Sequence, residues 1–289
     1  MNEKNRCKVF RCCFQEYIRK TGSARFLSAV VLMFALVCAA ATGIDRLMTD
    51  TQEWITPWMA PFFFDNIYFV TFYGFIVCYM YSDVPFMNRT ELYRIMREGR
   101  GRWCIVKLAG IILQAFTMAA VTMAACVIVF FPMVKMEMDW GKIIYTMAYS
   151  NNLDHYNVMI TPSPVILSKY TPAEAMAVCF MIVWLVTALM GLLMFGISLY
   201  SSRILAVSAA VGLTGLNLSG GKFWVTAWLP YVTPFYWCRM SIYGEQIFLD
   251  WYYPSLRFYV GVISILIIFF VGMILVRSRH IEFIWNREE

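Results

Sequence analysis

AMAVCFMIVWLVTALMGLLMFGISLY, residues 175 to 200, runs for 26 positions without a charged side chain. A helix needs roughly 20 apolar residues to cross a bilayer core, so this stretch reads as a complete span and decides the class of the protein. A single turn, Ser201 to Arg203, leads directly into a second apolar run from Ile204 to about Leu218. Working outward gives four more: Phe26 to Gly43, Pro57 to Tyr81, Trp103 to Val134 and Phe258 to Val276. Composition agrees. Of 289 residues, 61% are hydrophobic and 15% charged, with a mean hydropathy of +0.62, more apolar than a soluble domain of this size needs to fill its core. The expected fold is an all-α membrane protein: an N-terminal segment (residues 1–25), a six-span transmembrane domain (26–276) and a short tail (277–289).

The distribution of cations predicts the orientation. Of the 24 Lys and Arg residues, 17 fall in the N-terminus, the connection between spans two and three, the turn between spans four and five, and the C-terminus, against seven in the other connections. The positive-inside rule then places both termini in the cytoplasm. No signal peptide is expected, because about twenty-five mostly polar residues precede the first apolar run and that run lacks a convincing cleavage site.

The densest internal charge lies in SDVPFMNRTELYRIMREGRGRWCIVK, residues 82 to 107. Pro85 disfavours helix before it, Asn88 can cap a helix with Glu91 three residues on, and Gly99 and Gly101 supply a stop. Arg89 to Glu98 therefore reads as a short cytoplasmic helix, with Leu92, Ile95 and Met96 on one face and Glu91, Arg94, Arg97 and Glu98 opposite, suited to a membrane surface and a soluble partner. Residues 6 to 20 read similarly as an interfacial amphipathic helix: Val9, Phe10, Cys13, Phe14, Tyr17 and Ile18 form its apolar half and Lys8, Arg11, Gln15 and Arg19 its polar half. Lys107, near the start of span three, is expected to snorkel outwards.

Two connections lie on the outer side. Residues 135 to 174 read as a modest loop, too small and polar to bury a core of its own. FWVTAWLPYVTPFYWCRMSIYG, residues 223 to 244, is aromatic but broken by Pro230 and Pro234. A continuous span tolerates such prolines poorly, so one or two short re-entrant helices are expected there, dipping into the outer leaflet.

The chemical inventory excludes most enzyme classes. Two histidines, His155 and His280, fall in different compartments, which leaves no His pair for a metal. Nothing near His155 marks a nucleophile. The nine cysteines have no repeated pair spacing, which argues against a disulfide framework or a zinc site. No P-loop occurs: Gly215 and Gly220 have the spacing, but Gly221 stands where Lys is required. Leu218-Ser-Gly-Gly221 reads as a helix terminus. The cations gather at membrane edges, where lipid attraction and topology control explain them better than nucleic-acid binding. Asp65 is the ionisable residue most in need of a reason, since a carboxylate at a span centre costs on the order of 3 kcal/mol. If the span begins at Ile67, Asp65 sits cheaply at the interface; if at Pro57, it has a polar partner or lines a pathway. Gln114, within span three, is expected to bond to a neighbouring helix.

The layout resembles the ABC-2 type permeases, the membrane subunits of one class of bacterial ABC exporters. The segments that carry the likeness are Arg97-Glu-Gly-Arg-Gly-Arg-Trp103 before span three and Leu229-Pro230 through Pro234-Phe235-Tyr236-Trp237 before span six. The outer loop of about forty residues between spans three and four is longer than in the simplest members of that family. The resemblance implies a bacterial plasma-membrane protein, paired with a second permease subunit, identical or homologous, and with two copies of a separate ABC ATPase that hold the ATP and Mg. Arg89, Leu92, Arg94 and Arg97 would contact the ATPase, while Asp65, Trp228, Tyr231, Phe235 and Tyr236 would form the pathway and outer gate. The implied function is outward movement of an amphipathic or hydrophobic compound such as an antimicrobial peptide, drug or lipid. The alternatives are a non-transporting sensor or scaffold partner of an ATPase, and a membrane enzyme.

Overall fold

The computed structural model describes residues 3–84, 95–96, 99–150, 156, 158–219, 229–248 and 251–280, with the backbone alone for 3–10, 247, 248, 251, 279 and 280. The helices are α1 (Glu3–Thr21), α2 (Ala24–Ala41), α3 (Ile44–Thr51), α4 (Ala60–Asp65), α5 (Ile67–Tyr81), α6 (Arg100–Ile128), α7 (Lys142–Tyr149), α8 (Pro164–Lys169), α9 (Pro172–Tyr200), α10 (Arg203–Gly215) and α11 (Leu256–His280). Four of them, α2, α6, α9 and α11, are long and apolar enough to cross a membrane; α5 and the stretch Arg203–Ser219 are apolar but shorter. The protein is a membrane protein built on these helices.

The helix boundaries follow from local chemistry. Ser23 caps α2 by accepting from Phe26 N, and Ser202 caps α10 by accepting from Leu205 N. Thr171 and Glu174 form a capping box around Pro172 at the start of α9. The expected second span is divided: Asn66 adopts an extended backbone between α4 and α5, and its Oδ1 accepts from Tyr68 N and Phe69 N to start α5. Span three begins and ends earlier than its hydropathy suggests, at Arg100 and Ile128, and the chain then turns through Phe131-Pro132.

α9 forms the centre, with 72% of its apolar window buried against 17% for α11 at the periphery. It packs on α6, α11, α10 and α5. At Gly191 the helices meet so closely that an added Cβ would lie 2.7 Å from Ile111 Cγ2 and 2.8 Å from Tyr81 Cζ. Gly74 of α5 plays the same part, 2.5 Å from Thr214 Cγ2 and 2.8 Å from Phe235 Cδ2.

The loop after α6 is more ordered than expected. It has no core of its own, but α7 and α8 bury Ile143, Ile144, Met147, Ile166 and Leu167 in the common core. Trp140 stacks obliquely on Phe62 at 5.2 Å, and its carbonyl accepts from buried Thr56. From Leu229 on, the aromatic segment folds into short helical turns and not one continuous helix, and residues 223–228 of the expected re-entrant stretch lie outside the described residues. Residues 229–232 make one helical turn, Pro234–Cys238 and Met240–Ile242 form 3₁₀ turns, and Gln246–Phe248 (β1) pairs antiparallel with Trp251–Tyr252 (β2) in a short ribbon that sequence periodicity had not indicated. Successive prolines and the positive φ of Gly244 explain why the chain coils rather than continuing as a helix.

Candidate functional site

The strap from Leu229 to Tyr243 folds back over the α4–α5 junction, and Asp65 holds it there. Asp65 Oδ1 accepts from Ser241 N at 3.1 Å and from Ser241 Oγ at 2.5 Å, while Asp65's carbonyl accepts from Arg239 Nε at 2.8 Å. Arg239 in turn lies 5.0 Å over the Tyr236 ring. The break at Asn66 exposes the end of α4 to these donors, and Asn66 Nδ2 donates to Met159 O, fixing the outer loop beside it. Asp65 is thus half-buried at a helix junction, with a polar partner, and not isolated inside an apolar span.

Within the strap, Trp237 Nε1 donates to Pro230 O, Tyr243 OH donates to Trp237 O, and Thr233 Oγ1 donates to Leu229 O. The first bond satisfies Pro230 O, which Pro234 cannot pair helically because it has no N–H, while Leu229 O also takes the helical bond from Thr233 N. The strap inserts Phe235 edge-on against Tyr73 at 6.1 Å, and Tyr73 OH shares a hydrogen bond with Thr187 of α9 at 2.8 Å. Beside it, Trp237 and Tyr243 pack on Tyr259 of α11 at 6.1 and 5.4 Å. Tyr259 is wholly buried, and among the described residues its hydroxyl has no hydrogen-bond partner.

Of the residues predicted for the outer gate, the fold brings Asp65, Phe235 and Tyr236 together. Tyr231 remains 45% exposed, and Trp228 lies outside the described residues. So do Arg89, Leu92, Arg94 and Arg97; of the predicted helix Arg89–Glu98, only Ile95, which is buried, and Met96, which is exposed, are described. Gln114 is buried, and among the described residues its Oε1 has no hydrogen-bond partner. Sequence reasoning missed Arg239, Ser241 and Tyr73. A cation just after an aromatic run was the one available signal for Arg239; nothing local marked the other two.

A second polar site joins α1 to α6. Lys107 does not snorkel: it is fully buried and gives Nζ to Glu16 Oε1 at 2.6 Å, because α1 lies across α6 at Gly110 and covers it. Glu16, also fully buried, takes Arg19 Nη2 on both oxygens at 2.9 and 2.7 Å. Burial pushes its carboxyl up, but the charge and hydrogen bond of Lys107, then Arg19 and Lys20, outweigh this and hold it at about 2. Tyr17 OH shares a hydrogen bond with Thr117 Oγ1 at 2.8 Å one face over. The polar half of α1 therefore includes an inward-facing charged knot, not only the solvent-facing row its sequence suggests.

Among the described residues, no cluster of His, Cys, Asp and Glu is arranged to hold a metal. No family model, curated protein or solved structure matches the chain.

Proposed function

We propose that the chain is the permease subunit of an ATP-driven exporter, moving an amphipathic or hydrophobic compound outward, with the strap from Leu229 to Tyr243 as its outer gate. The observation that carries this reading is the strap itself. It is an aromatic, proline-broken segment held against a broken helix by Asp65, Arg239 and Ser241, with Phe235 packed edge-on against Tyr73, and we read it as a closure over one end of the apolar bundle. Such a closure, built of a few polar bonds on a greasy lining, can open without unfolding a helix.

The two ends of the bundle differ in charge in a way that supports a direction. α5 separates Asp65 from the basic segment after Ser82 by about 22 Å along its axis. At the Ser82 end, Arg25 pairs with Asp83, Arg203 Nε caps Ser82 O and Arg277 Nε caps Leu199 O. Elsewhere Lys135, Lys142 and Lys169 are matched by Glu137, Glu53 and Glu245. This favours six spans with the basic segment and both termini in the cytoplasm of a bacterial cell, the strap outside, and α1 at the inner interface. A soluble ABC ATPase, two copies per dimer of permeases, would dock on Arg89, Leu92, Arg94 and Arg97.

Copurification from native membranes, followed by ATP hydrolysis assays, tests the reading. A Walker-motif ATPase should accompany the chain, and Arg94→Glu with Arg97→Glu should uncouple the two. If the variant binds the ATPase and turns over ATP as before, the docking assignment is wrong. If no ATPase accompanies the wild-type chain, the exporter reading falls. Retained coupling with no efflux of any amphipathic dye would favour the sensor instead.

A further inference from the structure

We infer that the outward face of α1 is a binding surface for anionic phospholipid, and that the buried charge knot holds the helix rotated so that this face is presented. Arg11, Phe14, Gln15, Ile18, Arg19 and Gly22 recur every three to four residues and are all exposed, Phe14 at 53% and Ile18 at 52%. A helix packed on a protein in water hides its apolar residues and shows its charges. α1 does the reverse with its acid: Glu16 is turned into α6 against Lys107, while Phe14 and Ile18 point away from the protein. Over residues 11–22, whose side chains are described, the presented face therefore carries apolar side chains and cations and no carboxylate.

Two further observations fix the occupant as lipid. The face continues across the Gly22–Ser23 link into the exposed apolar side of α2, Leu27, Val31 and Phe34, on a helix long enough to span a bilayer. The charge is complementary to an anionic leaflet as well. Among the described residues the knot brings Arg19, Lys20 and Lys107 around Glu16, and Arg11 adds a cation one to two turns away. Phe14 and Ile18 would enter the acyl boundary while Arg11 and Arg19 meet phosphate oxygens at headgroup level. This inference rests on the membrane assignment alone; it stands or falls independently of the ATPase and of transport.

The test uses the full chain in nanodiscs of mixed phosphatidylglycerol and phosphatidylcholine, counting by native mass spectrometry the lipids kept after detergent extraction. The wild type should retain phosphatidylglycerol preferentially. Arg11→Gln should lower that preference roughly fivefold, the worth of one cation near an anionic surface, and adding Arg19→Gln should lower it again. Arg11→Lys with Arg19→Lys should restore it, which separates lost charge from lost fold. On the wild type itself the preference should fade between about 0.1 and 1 M salt, as the screening length contracts from about 10 to about 3 Å. Equal retention of both lipids by the wild type, a preference indifferent to salt, or one unchanged in the double Gln variant would overturn the inference. Efficient cross-linking of Ile18→Cys to a second protein chain would do so too, since protein and not lipid would then cover the face.

Discussion

Replacing Lys107 by Met should release α1 from α6. The substitution keeps the length of the side chain but leaves Glu16 buried at the helix crossing, with Arg19 and Lys20 among its remaining neighbours. Removing one member of a buried ion pair costs about 3 to 5 kcal/mol, because the other charge stays desolvated. Arg19, 43% exposed and bonded to both carboxylate oxygens, survives the change and argues for the lower figure. About 3 kcal/mol is roughly a hundredfold in the opening equilibrium of α1. Hydrogen–deuterium exchange over residues 11–21 reads that equilibrium directly: Lys107→Met should exchange about a hundredfold faster there, with α9 unaffected. The double variant Glu16→Leu with Lys107→Met should return close to wild type, since a hydrophobic pair of similar volume replaces a buried ion pair at little cost. Unchanged protection in the single variant, or a double variant as open as the single, would refute the assignment of α1 docking to this pair.

Other consequences can be measured the same way. The knot should be sensitive to acid: a carboxyl held low in the docked state contributes fully above its free value near 4.5 and loses that contribution as pH falls towards about 2, so pepsin should cut α1 progressively more readily across that interval. Asp65→Asn keeps an acceptor for Ser241 but removes the charge, and should loosen the strap by about 1 kcal/mol; Asp65→Ala removes the acceptor too and should cost about 2 to 4 kcal/mol, both read as faster exchange of residues 239–243. Gly74→Val and Gly191→Val each force a side chain into the 2.5 to 2.8 Å approaches at those glycines and should destabilise the bundle by about 1 to 3 kcal/mol. Gly212→Ala, with nothing within 4 Å, should be neutral or stabilising by up to about 1 kcal/mol in thermal denaturation.

The proximity of Asp65 to Ser241, 176 residues apart in sequence, shows where a linear reading stops. The sequence left two starts open for the second span, Pro57 and Ile67, and the break at Asn66 selects the later one, where an acid and an amide end a helix instead of interrupting it. The donors that meet them were not legible at all, because Ser241 and Arg239 carry no local mark of a distant partner. Lys107 failed for the same reason: beside a membrane edge its default is to reach for water, and only the docking of α1 supplies the carboxylate that makes burial cheaper. The ribbon after Gly244 escaped notice because two and three residues are too few to establish a period of two.

What the sequence determined by itself is the solvent of the protein. Long uncharged runs cannot be hydrated cheaply and must satisfy their backbone within helices, so apolar spans and their approximate limits follow from composition and order alone. What only the tertiary structure decided is how the scarce polar groups are matched. Each buried charge chooses its partner by proximity in space, and proximity depends on which helix faces meet: α1 across α6 at Gly110, and the strap across the α4–α5 junction at Asp65.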